Sequence, residues 1–454
     1  MKEIRYLVAG SGISGIGAVK LLSKVDADVT LYDGNEALKE EDIRAKLSDL
    51  KNADSVKIVI GELSDNVIDS VDIMVISPGI PTDAPFVNRV REKGVKIWSE
   101  IELAYQFSKG KVVAITGTNG KTTTTALVGE IMKAHYDSVF VVGNIGDPYT
   151  EHALSMTDDT VTVAEVSSFQ LETIVEFKPE VSAILNITPD HLNRHYTMEN
   201  YTAVKMSVAK NQTSNQFCVL NYEDELLRAN ESVVPSQVIY YSSKRRLDKG
   251  MYLDGETIIY NDGEKETPVL KVHEMKLVGI HNVENVMAAI AISIYMGVDI
   301  PTIAKVVKDF KAVEHRIEYV REKEGVIYYN DSKGTNTDAS IKAIEAMERP
   351  TVLIAGGYDK GSEYDEWIEA FGDKIKCLVL LGKTKEKIAE CAMEHGFTNI
   401  VSVDSLSEAV QEAYRNSSEG YAVLLSPACA SWDMFKSYEQ RGHVFKDCVH
   451  QLAD

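Results

Sequence analysis

An apolar strand, Lys111-Val-Val-Ala-Ile-Thr116, runs directly into Gly117-Thr-Asn-Gly120-Lys121-Thr122, then into a helix with Thr122 to Thr125 in its first turns. Glycines at a strand-to-helix turn let successive backbone N–H groups converge on one anion. A lysine there reaches β- and γ-phosphate oxygens, and a hydroxyl in the first turn can hold Mg²⁺. The full G-x-x-x-x-G-K-[ST] pattern needs glycine at position 115, where Ile115 stands, so this is a shortened variant. Such a turn commits its surroundings to a βαβ unit, with the ligand at the carboxyl end of a parallel strand.

The same grammar occurs twice more. Near the start, the strand Ile4 to Ala9 leads into Gly10-Ser-Gly12-Ile-Ser-Gly15, a helix to about Lys24 and a strand Asp28 to Asp33. Later, Gly325 to Asp331, Thr351 to Ala355, Cys377 to Leu381 and Ala422 to Ser426 each run into a polar or Gly/Pro turn. For 454 residues, about three domains are expected. The pattern predicts an α/β chain of three domains: an N-terminal Rossmann-like parallel sheet (1–98), a central P-loop ATPase-like domain (99–312) and a C-terminal Rossmann-like domain (313–454).

Charge narrows the partners. Lys plus Arg is 48 and Asp plus Glu is 69, a net −21. A chain this acidic is not expected to bind nucleic acid generally or an anionic membrane surface. The longest apolar run, Val286 to Val298, falls short of the about 20 residues a bilayer requires, and reads as a buried helix. Glycines 10, 12, 15 and 17 break any signal-peptide core, so a cytoplasmic protein is expected. Five scattered cysteines without a CxxC fit reduced thiols and argue against structural zinc.

Gly10, Gly12 and Gly15 form a G-x-G-x-x-G between strand and helix, with Asp33 closing the next strand, where an acid often takes a ribose hydroxyl. On its own this indicates a diphosphate nucleotide, NAD or another. Glu165 ends the strand Thr160 to Ala164, where an acid beside a phosphate loop commonly anchors Mg²⁺. His191 and His195 follow Thr188-Pro-Asp190 and are four residues apart, but no H-E-x-x-H is present to make a zinc pair. Lys205, in a helical stretch from Tyr201, reads by itself as a surface lysine. Turns at Asn330–Asn336, Ala355–Gly361 and Ser426–Asp433 mix acids, amines and hydroxyls suited to a polar ligand.

Taken together, Thr116-Gly-Thr-Asn-Gly-Lys-Thr122, Thr188-Pro-Asp-His-Leu192, Gly279-Ile-His-Asn282, Glu314-His-Arg316 and Asn330-Asp-Ser-Lys-Gly-Thr335 resemble the signatures of the Mur ligase family, over essentially the whole chain. Ser426-Pro-Ala-Cys-Ala-Ser431, with Phe435 and Tyr438-Glu-Gln-Arg-Gly442, is most similar to the D-glutamate-adding branch. An Asn-Pro-Arg type motif, expected of the diamino-acid-adding branch, is not found. The resemblance implies an ATP-dependent amide ligase that joins D-glutamate to UDP-N-acetylmuramoyl-L-alanine through an acyl phosphate. The setting is cytoplasmic peptidoglycan precursor synthesis, and hence cell-wall growth, cell shape and division. It implies ATP and two Mg²⁺ ions as cofactors, and a monomer without nucleic-acid partner or membrane insertion.

It also implies roles. Gly117, Thr118, Asn119, Gly120, Lys121, Thr122 and Thr123 match the phosphate loop. Asn282, Asn285, Arg316 and Asp331 match contacts to the ATP base and ribose. Thr122, Glu165 and His191 match Mg²⁺ ligands, and Lys205 matches a lysine that family members carbamylate into a further metal-binding carboxylate. Lys121, Glu165, His191 and Lys205 are therefore the implied catalytic set. Gly12, Ile13, Ser14, Asp33, Ser77, Pro78 and Gly79 match the UDP pocket, and Asn144 a muramoyl contact. Lys333, Thr335, Lys360, Ser431 and Tyr438 match the D-glutamate pocket, where the family often has Phe in place of Tyr438. Three other readings compete with this one. Folylpolyglutamate synthetase needs no UDP pocket, an NAD oxidoreductase leaves Lys121, Glu165 and His191 without work, and a non-catalytic ATP module predicts binding without product.

Overall fold

The structure, a computed structural model, describes residues 4–145, 147–311, 313–359 and 361–452. Lys360 and the expected domain border at Ala312 lie outside the described residues.

Five strands form the first sheet: β1 (Arg5–Ala9), β2 (Asp28–Asp33), β3 (Lys57–Ile60), β4 (Ile73–Ile76) and β5 (Lys96–Ser99). Their order is β3-β2-β1-β4-β5, with every pairing parallel. The order reverses at β1, so the crevice beyond β1 and β4 is the natural ligand position. The second sheet comprises β6 (Lys111–Thr116), β7 (Val139–Gly143), β8 (Val161–Glu165), β9 (Val181–Ile184), β10 (Phe217–Asn221), β11 (Gln237–Ser242), β12 (Gly250–Asp254), β13 (Thr257–Asn261) and β14 (Glu266–Lys271). Its order is β14-β13-β12-β11-β10-β9-β6-β8-β7, which places β6 between β9 and β8. The third sheet comprises β15 (Glu318–Lys323), β16 (Val326–Asn330), β17 (Thr351–Ala355), β18 (Ile375–Leu380), β19 (Ile400–Ser402) and β20 (Ala422–Leu425), ordered β15-β16-β20-β17-β18-β19.

The parallel strands predicted from apolar runs are present within a residue or two at most ends. Two antiparallel additions are not anticipated by that reading. β12 pairs antiparallel with β13 across Gly255-Glu256, and β15 with β16 across Glu324-Gly325. Both hairpins sit toward sheet margins; the first is apolar, largely buried and turns at Asp254-Gly255, while in the second β15 is diluted by charge, Glu318-Tyr-Val-Arg-Glu-Lys323.

The chain divides into two compact units: residues 1–270 with 286–307, and residues 271–285 with 308–454. In the first unit one continuous apolar core joins residues of the first sheet, such as Val8, Leu31 and Val75, to residues of the second, such as Val112, Ala164 and Ile184. In the second unit, two apolar clusters are built from alternate residues of the same strands, Leu353, Leu378 and Leu424 in one and Val352, Val379 and Val423 in the other. That alternation is what a sheet covered by helices on both faces requires. The apolar run from Val286 lies in the helix Ile280–Tyr295 and is fully buried through Ile292. Among the described residues, no helix is long and apolar enough to cross a membrane.

Candidate active site

The first turn is built around two backbone approaches. A Cβ on Gly15 would stand 1.8 Å from the Gly10 carbonyl oxygen, and one on Gly10, itself at φ +99°, 2.6 Å from Ser77 Oγ. Only glycine fits at Gly15, and the loop after β1 is thereby pressed against the end of β4. Beside Gly12 the space is open to 4 Å, and Ile13 is 76% exposed at the start of the helix Ile13–Lys24. That helix has no side-chain cap, so its first N–H groups face the opening. Asp33 accepts from the Ser11 hydroxyl (2.6 Å), the Ser11 amide (2.9 Å) and the Asn35 amide (3.0 Å). Burial pushes its carboxyl up, but these bonds and nearby Lys46 outweigh that and hold it below the usual carboxylate range. Lys46 Nζ also donates to the Ser11 carbonyl (3.0 Å). Ser11 and Lys46 were not singled out by sequence; only the fold places Lys46 on the loop.

The second turn is fixed by the loop after β9. Thr118 N donates to the Asn186 carbonyl (2.9 Å) and Asn119 N to Asn186 Oδ1 (2.8 Å), while Asn186 Nδ2 returns a bond to the Asn119 carbonyl (3.1 Å). The Thr118 hydroxyl meets the Thr188 carbonyl and the Tyr201 hydroxyl, each at 3.1 Å. Gly120 takes a left-handed φ of +84° and opens the helix Lys121–Lys133, again without a side-chain cap. Lys121 Nζ donates to the carbonyls of Gly117 and Thr118, both at 2.8 Å. Here too the structure adds residues, Asn186 and Tyr201, that grip the predicted loop.

Around this loop the predicted polar residues converge. Glu165 ends β8 and is 1% exposed; its Oε1 accepts from Asn144 Nδ2 (2.8 Å), while Oε2 is buried without a partner. The hydroxyls of Thr116 and Thr123 are likewise buried and unpartnered. Buried oxygens of this kind are costly unless something meets them. Oxygen donors beside a phosphate loop fit a hard cation such as Mg²⁺. Lys205 is 2% exposed. Its Nζ donates to the Gly117 carbonyl (2.9 Å) and lies over the Tyr201 ring (4.7 Å). Burial, then the charge of Lys121, hold its amine well below the ordinary lysine range. The surface reading of Lys205 is thus corrected: its helix, Met198–Met206, turns it inward.

A cavity of about 280 Å³ gathers Pro78, Gly79, Lys121, Asn144, His191 and Lys205 along its lining. His191 sits at a left-handed φ of +53°, its ring 4.8 Å from that of Phe169. His195 is not its partner in a metal pair. It is buried, bonded to Ser168 Oγ (3.0 Å), and kept below its usual pKa by burial, against the opposing pull of Glu172. Arg194 forks onto Glu172 (3.1 and 2.6 Å) and donates to the Ile80 carbonyl (2.8 Å). It therefore ties the loop carrying Pro78 and Gly79 to the loop carrying His191.

In the other unit, Asp331 is buried and accepts from Ser426 Oγ (2.7 Å) and Ile317 N (3.3 Å). Burial pushes its carboxyl up to about 6, with the charge of Arg316 opposing. Arg316 Nε is buried without a partner. Asn282 and Asn285 bond to each other (3.2 Å), and Asn282 Nδ2 to the Val278 carbonyl (2.7 Å). Lys333 Nζ lies over the Tyr438 ring (5.4 Å). Buried Arg441 fastens the two loops beneath them, donating to Ser332 Oγ and to the carbonyls of Ser332, Cys429 and Ala430 at 2.8–3.3 Å, next to Ser431. Thr335 N bonds to the Lys333 carbonyl (2.9 Å), so Lys333, Thr335 and Tyr438 share one end of the third sheet.

Three family models cover the chain: the Mur ligase MurD-like N-terminal domain over residues 4–99, the Mur ligase middle domain over 115–293, and the Mur ligase glutamate ligase domain over 315–429. A UDP-N-acetylmuramoylalanine–D-glutamate ligase of Lachnoclostridium phytofermentans is 55% identical over 99% of this chain and 98% of its own length. One of Lachnospira eligens is 54% identical over the full length of both. Among solved structures, the MurF ligase of Thermotoga maritima in complex with ADP matches with a TM-score of 0.59 at 17% identity, over 100% of this chain and 97% of that one, a likeness of fold. The chain belongs to the Mur ligase family, in the group of the UDP-N-acetylmuramoylalanine–D-glutamate ligases.

Proposed function

We propose that this chain is an ATP-dependent carboxylate–amine ligase. It adds D-glutamate to UDP-N-acetylmuramoyl-L-alanine in the cytoplasmic synthesis of peptidoglycan precursors. The observation that carries the reading is the cavity where the Pro78-Gly79 loop, the phosphate-loop Lys121, Asn144, His191 and buried Lys205 meet. Residues 1–98 are assigned to the UDP-substrate, 99–312 to ATP, and 313–454 to the amino acid.

A carboxylate is inert toward an amine until its oxygen becomes a leaving group. When bound, ATP with Mg²⁺ supplies the phosphoryl group that converts the L-alanyl carboxylate into an acyl phosphate open to the D-glutamate amine. The residues' part is mainly to bring anions together. Lys121 and the uncapped helix start at Gly120 offset phosphate charge. Thr122, Glu165 and His191 are the Mg²⁺ ligands in this reading. Lys205, its amine held well below the ordinary lysine range by burial and then by Lys121, is suited to add to CO₂, losing a proton to give a carbamate, a further anionic ligand. Lys333 and Lys360 are assigned to the D-glutamate carboxylates, and Thr335, Ser431 and Tyr438 to the same substrate. Asn282, Asn285, Arg316 and Asp331 are assigned to the nucleoside of ATP. Gly12, Ile13, Ser14, Asp33 and Ser77 to Gly79 are assigned to the UDP moiety, Asp33 acting in part by holding Ser11.

Phosphate release with ATP, Mg²⁺ and UDP-N-acetylmuramoyl-L-alanine tests the reading, adding D-Glu, L-Glu, D-Asp or a diamino acid in turn. Release that requires D-Glu, with a matching product mass, is expected. Release with a diamino acid instead would overturn the amino-acid assignment, and no release with any would overturn the ligase.

A further inference from the structure

Away from the site just described, two helices of the second unit, Asp365–Glu369 and Lys385–Glu394, pack side by side. They bring together donors of three chemistries: the Asp365 carboxylate, the Cys391 thiol and the imidazole of His395, the residue following the second helix. The donor atoms all lie within 4.8 Å of one another. His395 Nε2 is 3.0 Å from Asp365 Oδ1, and its Nδ1 is 3.9 Å from Glu369 Oε1. Cys391 and His395 are one turn apart on one element, Asp365 and Glu369 one turn apart on the other, so each pair shares a face.

We propose that this cluster binds a zinc ion through Asp365, Cys391 and His395. Thiolate sulfur, imidazole nitrogen and one carboxylate oxygen are a donor set zinc takes with three protein ligands and an open fourth position, whereas Mg²⁺ and Ca²⁺ call for oxygens throughout. Zinc–ligand bonds of about 2.0–2.3 Å set donor–donor edges of roughly 3.4 Å. The Asp365–His395 pair already stands near that spacing. The remaining gap closes by side-chain rotation at exposed helix ends. Glu369 Oε1 stands 3.9 Å from the other imidazole nitrogen, beyond hydrogen-bond distance but on the side where a carboxylate supports a metal-bound histidine. Burial first, then the negative charge of Asp365, Glu394 and Glu363, push the Cys391 thiol above its usual range, a surplus of charge that a bound cation would offset. Lys387, the nearby cation, is turned to the Ser362 carbonyl and Asp359. On binding, the sulfur–zinc bond forms and the thiol proton leaves to solvent. Cysteine spacing alone does not reveal this site, because its ligands come from two helices.

A second grouping, Glu314, His315 and His443, is weaker. Lys446 Nζ already bonds both Glu314 and Glu318 there, and His315 Nδ1 is met by Asn330 Nδ2 at 2.9 Å.

The test uses the reduced, tag-free full chain with Co²⁺ as optical probe. One equivalent is expected to give a near-ultraviolet sulfur-to-cobalt charge-transfer band, bleached by one equivalent of Zn²⁺. Cobalt at the phosphate loop gives no such band, since no cysteine lines that cavity. Cys391→Ser should abolish the band and Cys448→Ser should keep it. His395→Ala and the exposed Asp365→Asn should each weaken zinc binding about tenfold or more. Zinc should raise the melting temperature of the unaltered chain but not of Cys391→Ser. Absence of the band in the unaltered chain, its survival in Cys391→Ser, or undiminished zinc affinity in Asp365→Asn would overturn the proposal.

Discussion

Arg194 makes a demanding test of the first unit, because it touches none of the implied substrate groups. The Arg194 and Glu172 side chains are only 11% and 9% exposed, and the Phe169 ring centre lies 4.9 Å from the guanidinium carbon. His195 Nδ1 stands 3.6 Å from the same carboxylate, and burial holds its imidazole below the usual range, so it is a poor substitute cation. Removing the guanidinium therefore leaves a buried carboxylate uncompensated, a loss of about 3–5 kcal/mol. Arg194→Lys is the sharper probe. It keeps the charge but not the fork, so it can serve Glu172 or the Ile80 carbonyl and not both. One charge-assisted bond is lost, about 1.5–3 kcal/mol. Part of that loss falls on the Pro78–Ile80 loop. We expect the KM for the UDP-substrate to rise about tenfold, equivalent to about 1.4 kcal/mol, with the KM for D-glutamate nearly unchanged. Steady-state kinetics on Arg194→Lys, Glu172→Gln and the double variant measure this. The cycle should return a coupling of about 2 kcal/mol. A coupling below about 0.5 kcal/mol, or an equal rise in both KM values, would refute the idea that this pair holds one loop against the other.

Three further outcomes are expected. Lys205→Ala should lose activity by about a hundredfold or more and regain part of it with acetate or another short carboxylate; full activity without rescue would remove the carbamate role. Gly15→Ala places a methyl 1.8 Å from the Gly10 carbonyl, so the turn must open. Calorimetric titration should show UDP-substrate binding lost and the melting temperature lowered, and unaltered affinity would contradict the packing. Glu100 is buried, with Oε1 bonded to Gln170 (2.7 Å) and Oε2 unpartnered, and burial pushes its carboxyl from 4.5 up to about 7. The folded state thus binds its proton more tightly than the unfolded chain. Stability is greatest below the unfolded value and is lost as pH rises toward 7, by about 3 kcal/mol. Glu100→Gln should gain on the unaltered chain across that window in denaturant melts, and a constant difference between pH 4.5 and 8 would contradict the assignment.

How far a sequence discloses its site depends on how local the signal is. The turns at Gly10–Gly15 and Gly117–Thr122 are readable because strand, glycine and helix follow each other within a dozen residues, and the constraint lies in the backbone itself. Glu165 is readable for a related reason, since a strand that ends in an acid fixes where the acid points. Lys205 is the opposite case. Nothing around it distinguishes it from a solvated lysine until its helix turns it onto the Gly117 carbonyl, 88 residues away, with Tyr201 of the same helix beneath its amine. Family resemblance named it, and geometry supplied the cause. Arg194 and Asn186 belong to the same class, as residues that fasten one loop to another across 67 to 114 positions of chain. Of the two hairpins, β15 lacks apolar contrast, Glu318-Tyr-Val-Arg-Glu-Lys323, whereas β12–β13 is apolar and its signal is the Asp254-Gly255 turn. The groups proposed to touch substrate are mostly written in short motifs, and the groups that hold those motifs in register are not. Variants of the holding residues therefore test the folded geometry more directly than variants of the motifs, whose loss any reading of the sequence already predicts.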